Sequence, residues 1–156
     1  MSKAFTDEET PVPDGGEPLP RRERDLPITR AGLARLRAEL AGLVAAGPSE
    51  TGVRRARVLA QVLKSVYVQE PSLIDGRVGF GTSVAVEEAD GRRTSYEIVG
   101  PDEVEPARQQ ISIASPVARA LLGKRAGDVV VLQRPRGDIE VTVVSVTVAP
   151  EDTERQ

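Results

Sequence analysis

The residue types that this chain lacks limit its chemistry to carboxylates, lysine, arginine and tyrosine. The sequence has no histidine and no cysteine. Their absence excludes Ser-His and Cys-His nucleophilic pairs, imidazole and thiolate metal sites, and disulfides. One acidic residue, Glu50, stands at the break between two predicted helices. A carboxylate at a helix start usually stabilises the helix macrodipole, so we interpret Glu50 first in that way. The alternative is a carboxylate presented at the tip of a helical hairpin.

Further candidate residues lie in two turns of the C-terminal half. Asp102 and Glu103 are acids in a predicted turn, where such residues are usually only solvated. Ser115 and Pro116 are typical of the start of a short helix, because serine is a good N-cap and proline fits the first helical position. Arg119 follows on that helix, where it suits either packing or partner binding.

Composition and charge favour a protein partner over a membrane or nucleic acid. The chain has 156 residues, 39% of them hydrophobic, and a formal net charge of −3. No apolar run is long enough to span a membrane, and the first residues lack the apolar core of a signal peptide, so we predict a cytoplasmic protein. A negative charge disfavours broad nucleic-acid binding, which needs a basic surface.

The N-terminal half predicts a tail and a helical hairpin. Residues 1–25 are rich in Pro, Gly and charged residues and are predicted to be disordered. Residues 26–68 predict two antiparallel helices, the first capped by Thr29 and broken near Gly47-Pro48. Each helix has one apolar seam at spacings of three and four residues. The seams are Leu33, Leu36, Leu40 and Leu43, then Ala56, Leu59, Leu63 and Val66.

The C-terminal half predicts a small α+β domain over residues 76–148, reached through a linker at 69–75. Strands are predicted at 78–86, 94–99, 129–132 and 139–148, with turn signals between them. The continuous apolar run at 129–132 predicts a buried strand. Together with the short helix after Pro116, these segments predict an antiparallel sheet that carries one helix. Residues 149–156 are predicted to be frayed.

The segment ISIASPVARALLGK, residues 111–124, resembles the C-terminal domain of the Gre-type bacterial transcription elongation factors. The resemblance extends through GRVGFG (76–81), SYEIVGPDE (95–103) and GDIEV (137–141). It implies an FKBP-like fold for residues 76–148. The segment PITRAGLARLRAEL, residues 27–40, is similar to the opening of the N-terminal coiled coil of the same family.

The hairpin tip departs from that family. The resemblance implies a longer hairpin whose tip presents an acidic motif to the polymerase active-site metal. This chain has VAAGPSETGV at 44–53, with Glu50 as its one acid. A short hairpin beside the same C-terminal domain is reminiscent of the Rnk-type relatives.

The resemblance implies docking on core RNA polymerase at the rim of the secondary channel, in competition with other secondary-channel factors. Nucleic acid would be reached only through the elongation complex. The docking contacts that it implies are Asp102, Glu103, Ser115, Pro116 and Arg119. We expect a monomer with no cofactor and no metal site of its own.

The altered tip leads us to predict a non-catalytic polymerase accessory factor that does not stimulate transcript cleavage. Two alternatives stay open: an authentic cleavage factor that supplies carboxylates in another way, and an FKBP-like adaptor that binds a different protein. Prolyl isomerase activity is not expected, because that chemistry needs an apolar, aromatic-lined pocket and the chain has two Phe, two Tyr and no Trp.

Overall fold

The computed structural model describes residues 26–149, which form a helical hairpin followed by a β domain. The predicted tail at 1–25 lies outside the described residues, as does the predicted frayed end apart from Ala149. Within the described part of the chain, no helix is long and apolar enough to cross a membrane.

Each helix of the hairpin has a side-chain N-cap at its start. Thr29 Oγ1 accepts a hydrogen bond from Gly32 N at 3.0 Å, and Ser49 Oγ accepts one from Gly52 N at 3.1 Å. Between the helices Gly47 has a φ of +92°, a conformation that glycine adopts without a Cβ penalty, so the chain reverses in a short connection. The elements in order are β1 (Leu26–Ile28), α1 (Arg30–Ala46), α2 (Glu50–Lys64) and β2 (Val66–Val68).

Two parallel strands close the base of the hairpin, and the sequence did not predict them. β1 pairs with β2, with Leu26 opposite Val66. Strands of three residues are too short to show a period of two, so the pattern could not reveal them. The predicted seam of the second helix therefore ends too late: Val66 packs against the hairpin core, but it does so from β2 and not from α2. The side chain buried there is Val62, which packs with Ile28, Leu36 and Leu59.

The C-terminal domain is a five-stranded sheet in the order β5-β4-β3-β7-β6. All pairs are antiparallel except β4 with β5, which are parallel. The predicted α+β class is thus confirmed, as a helical hairpin joined to a mainly antiparallel sheet. Its elements are β3 (Thr82–Glu88), β4 (Arg93–Val99), a one-turn 3-10 helix (Pro106–Arg108), β5 (Gln110–Ser112), α3 (Pro116–Leu121), β6 (Val129–Leu132) and β7 (Ile139–Val148).

The core of this domain lies between the sheet and α3. Ala118 and Leu121 of α3 are completely buried against apolar side chains of β3, β4, β6 and β7. The prediction that 129–132 form a buried strand is wrong in one respect. β6 is an edge strand, so Val130 and Leu132 face the core while Val129 and Val131 are exposed. A run of valines fits one face of a sheet as readily as two, because β-branched side chains are favoured on both.

Candidate functional site

The loop from β5 into α3 is held rigidly from both sides. Ser115 Oγ accepts a hydrogen bond from Ala118 N at 3.1 Å, as expected for the N-cap, and Pro116 is the first residue of the helix. On the other side Ile113 N donates to Val99 O at 2.8 Å. Backbone and cap together fix where this short helix begins.

The outward side of this loop and helix exposes an apolar and a cationic group. Pro116 and Arg119 are three residues apart, hence on one face of α3, and both are exposed, as is Ala114. Ser115 beside them is half-buried by its capping role. We call Ala114, Ser115, Pro116 and Arg119 the α3 surface.

Asp102 and Glu103 follow β4 and differ in exposure. Because β4 and β5 are parallel, their carboxyl ends meet at one edge of the sheet, so this turn lies beside the loop that starts the α3 surface. Asp102 is half-buried. Glu103 is only 2% exposed, and its carboxylate accepts hydrogen bonds from Gly100 N and Thr29 N, both at 2.8 Å. These hydrogen bonds hold the Glu103 carboxylate inside the protein and away from the surface.

Glu50 lies at the far end of the hairpin from these residues. It is the first residue of α2, and its side chain is 85% exposed. Its Oε2 is 3.4 Å from Arg54 NH2, an i,i+4 pair of the kind that adds a few tenths of a kcal/mol to a helix. The 17 residues of α1 span roughly 25 Å, so the structure does not bring Glu50 together with the α3 surface.

A bidentate ion pair joins the two helices of the hairpin. Arg55 Nε and NH2 donate to the two oxygens of Glu39 at 2.7 and 3.0 Å. The hydrogen bonds from Arg55 lower the pKa of Glu39, and the same contact raises the pKa of Arg55. Both side chains are well exposed, so solvent screening limits what the pair adds to stability.

The hairpin is basic although the whole chain is acidic. Residues 26–68 contain seven Lys and Arg against two Asp and Glu, whereas the full chain has a net charge of −3. The net charge of the whole chain therefore does not describe the hairpin, which is positive.

Comparison with known proteins identifies the C-terminal domain. Residues 73–148 match the family model described as transcription elongation factor, GreA/GreB, C-term. The C-terminal domain is therefore of the GreA/GreB type. The Gre-type resemblance stated from the motifs at 76–141 is thereby confirmed.

Curated Gre proteins are similar to this chain over part of their length. GreB of Yersinia pestis is 40% identical over 103 residues, which are 65% of this chain and 60% of that protein. GreA of Nitratidesulfovibrio vulgaris (strain DSM 19637 / Miyazaki F) is 47% identical over 76 residues, 48% of each chain. The chain thus spans about half to three fifths of the length of these relatives.

Two solved structures match most of this chain. A GreA/GreB factor from Nitrosomonas europaea is 28% identical with a TM-score of 0.43, covering 79% of this chain and 99% of that one. The GreA factor homolog 1 of Thermus thermophilus is 27% identical with a TM-score of 0.42 over the same shares. Both TM-scores are below 0.5, so these likenesses say nothing about how the hairpin and the domain are arranged in this chain.

The prediction of a non-catalytic accessory factor is wrong. The relatives are named transcription elongation factors GreA and GreB, the class that stimulates transcript cleavage by RNA polymerase. The prediction rested on the ten residues at 44–53, whereas the family match extends over residues 73–148. A departure at the tip was too narrow a basis for excluding the activity of the family.

Proposed function

We propose that this Gre-type protein docks on core RNA polymerase at the rim of the secondary channel, through the α3 surface, and acts there on elongation. The observation that carries the proposal is the exposure of Pro116 and Arg119 on a capped, rigid helix of the matched domain. Arginine is one of the residue types enriched at interface hot spots, and Pro116 places an apolar group beside it.

Rigidity is what makes this helix suitable for docking. The turn after α3 is fixed to the start of the domain, because Gly123 N donates to Val78 O and Val78 N donates to Lys124 O, each at 2.9 Å. A surface whose backbone is already fixed loses less conformational entropy on binding than a mobile segment would. Asp102, half-buried beside the same edge, would border this contact.

The hairpin would then project from the docked domain with Glu50 at its tip. The proposal places the protein in the cytoplasm, as a monomer, in contact with nucleic acid only within the elongation complex. One protein at a time fits a single docking site, so occupancy should exclude other secondary-channel factors.

Competition tests this proposal. Fluorescently labelled protein is titrated with core RNA polymerase, and the complex is then titrated with unlabelled GreB of Yersinia pestis, one of the similar proteins. The proposal expects full displacement that follows a single-site competition curve. Binding that GreB leaves undisturbed would contradict docking at a shared site. No binding to the polymerase would favour an adaptor for another protein.

A further inference from the structure

One carboxylate from the C-terminal domain lies at the start of the hairpin. Glu103 follows β4, yet its Oε2 accepts from Thr29 N at 2.8 Å and its Oε1 accepts from the Thr29 hydroxyl. The same Oε2 accepts from Gly100 N in its own turn at 2.8 Å. Thr29 and Glu103 are 74 residues apart in the sequence. The side chain is buried, so these hydrogen bonds form away from competing water.

This arrangement is a capping box whose second half comes from another domain. In an ordinary capping box the N-cap side chain accepts from the N3 backbone N–H, and a Glu at N3 reaches back to the N-cap N–H. Here Thr29 is the N-cap and accepts from Gly32 N at position N3. Gly32 has no side chain to complete the box, and Glu103 supplies the missing carboxylate. The negative charge also lies at the helix N-terminus, where the macrodipole favours it.

Two glycines make the close approach possible. A Cβ at Gly32 would lie 1.8 Å from Glu103 Oε1, and a Cβ at Gly100 would lie 1.8 Å from Pro27 O. Each distance is far below contact, so a Cβ at Gly32 would displace the Glu103 carboxylate, and a Cβ at Gly100 would collide with the backbone of Pro27.

The linker also contacts both parts, because Gln69 N donates to Ile28 O at 3.0 Å and Ser72 N donates to Phe80 O at 2.8 Å. The hairpin core around Leu36 and Leu59 and the domain core around Ile98 and Leu121 are separate clusters among the described residues. Arg35 and Glu105 add an ion pair across the junction at 3.6 Å. With separate cores on either side, the buried hydrogen bonds of Glu103 connect the start of α1 directly to the turn after β4.

We propose that Glu103 is a positioning residue that fixes the direction in which the hairpin projects from the docking domain, by completing the N-cap of α1. The direction of the hairpin determines where its tip lies once the domain is docked. Removing Glu103 leaves each core intact and frees the angle between the two parts.

Electron-spin distance measurement on the full chain tests this. The natural sequence has no cysteine, so Ala45→Cys on α1 and Ser145→Cys on β7, both exposed, give one specific label pair. The parent protein should give one narrow distance distribution. Glu103→Ala should broaden it at least twofold while circular dichroism shows helix and sheet retained.

Two further pairs of variants separate orientation from folding. Gly32→Ala displaces the carboxylate without touching Glu103, and alanine is the better helix former, so its broadening would not come from a weaker helix. Gly42→Ala in the same helix meets nothing within 4 Å and should keep the parent distribution. Glu103→Gln should also keep it, because the amide oxygen can accept from the two N–H groups while its NH2 donates to the Thr29 hydroxyl. Glu103→Asp, one methylene shorter, should broaden it.

The inference would be overturned if Glu103→Ala and Gly32→Ala gave the same distance distribution as the parent protein. It would also be overturned if Gly42→Ala broadened the distribution as much as Gly32→Ala does. The measurement needs no polymerase, so its outcome is independent of the docking proposal.

Discussion

At the scale of single residues, Ser115 has a role that is separable from docking. Its hydroxyl satisfies the N–H of Ala118 at the start of α3. We expect Ser115→Ala to lower the free energy of unfolding by about 1 kcal/mol, the usual effect of losing a serine cap. Urea denaturation measures the loss. Ser115→Asp, which can cap in the same way, should restore most of it, and Ser95→Ala on the exposed side of β4 should change stability by less than about 0.5 kcal/mol.

We expect any stimulation of transcript cleavage by this protein to depend on Glu50. It is the one acidic side chain among residues 44–53, and two-metal chemistry depends on carboxylates that hold the metal. We expect Glu50→Ala to remove cleavage stimulation by this protein in backtracked elongation complexes while leaving polymerase affinity within about threefold of the parent, since the α3 surface is untouched. Glu39→Ala, which removes an acidic side chain from α1 away from the hairpin tip, is the matched control. Stimulation that survives Glu50→Ala unchanged would contradict a role for the tip carboxylate.

At the scale of elements, the ion pair between α1 and α2 makes the hairpin sensitive to acid. Arg55 holds the pKa of Glu39 below its ordinary value of 4.5. A depressed folded-state pKa gives stability that is present above the unfolded-state value and is lost as the pH falls through the folded-state value. We expect Glu39→Gln to cost less than about 1 kcal/mol at neutral pH, because the pair is exposed, and to cost nothing once the pH is well below 4.5. Denaturation of both proteins across this pH range measures the difference. A cost that grows on acidification would contradict it.

Local rules predicted the elements whose causes are local. Thr29 and Ser115 were recognised as caps because a cap and its partner are three residues apart, and the seam of α1 could be read from spacing alone. The parallel pairing of β1 with β2 and of β4 with β5 could not be predicted, because pairing between distant segments leaves no local pattern. The exposure of Val129 and Val131 depends on β6 lying at the sheet edge, which only the assembled order of strands determines.

At the scale of the whole molecule, Glu103 shows why site prediction from sequence was incomplete. Its position in an acidic turn suggested a surface contact. Its actual partner, Thr29, is 74 residues away, and Gly32 leaves the space that the carboxylate fills. Every residue of the junction was visible in the sequence, but nothing indicated that they meet. The motifs at 76–141 identified the family, because they are contiguous within one domain.

The most direct test of the account is the affinity of the full chain for core RNA polymerase when the α3 surface is altered. Pro116→Ala with Arg119→Glu removes the exposed apolar group and reverses the charge beside it. Arg136 is also exposed, in the turn between β6 and β7, and Arg136→Glu is the matched control for the change in charge. We predict that the double variant binds at least about 30-fold more weakly, equivalent to roughly 2 kcal/mol, with unchanged circular dichroism, and that Arg136→Glu binds within about threefold of the parent. Parent-like affinity in a folded double variant, or an equal loss in Arg136→Glu, would contradict docking through this surface.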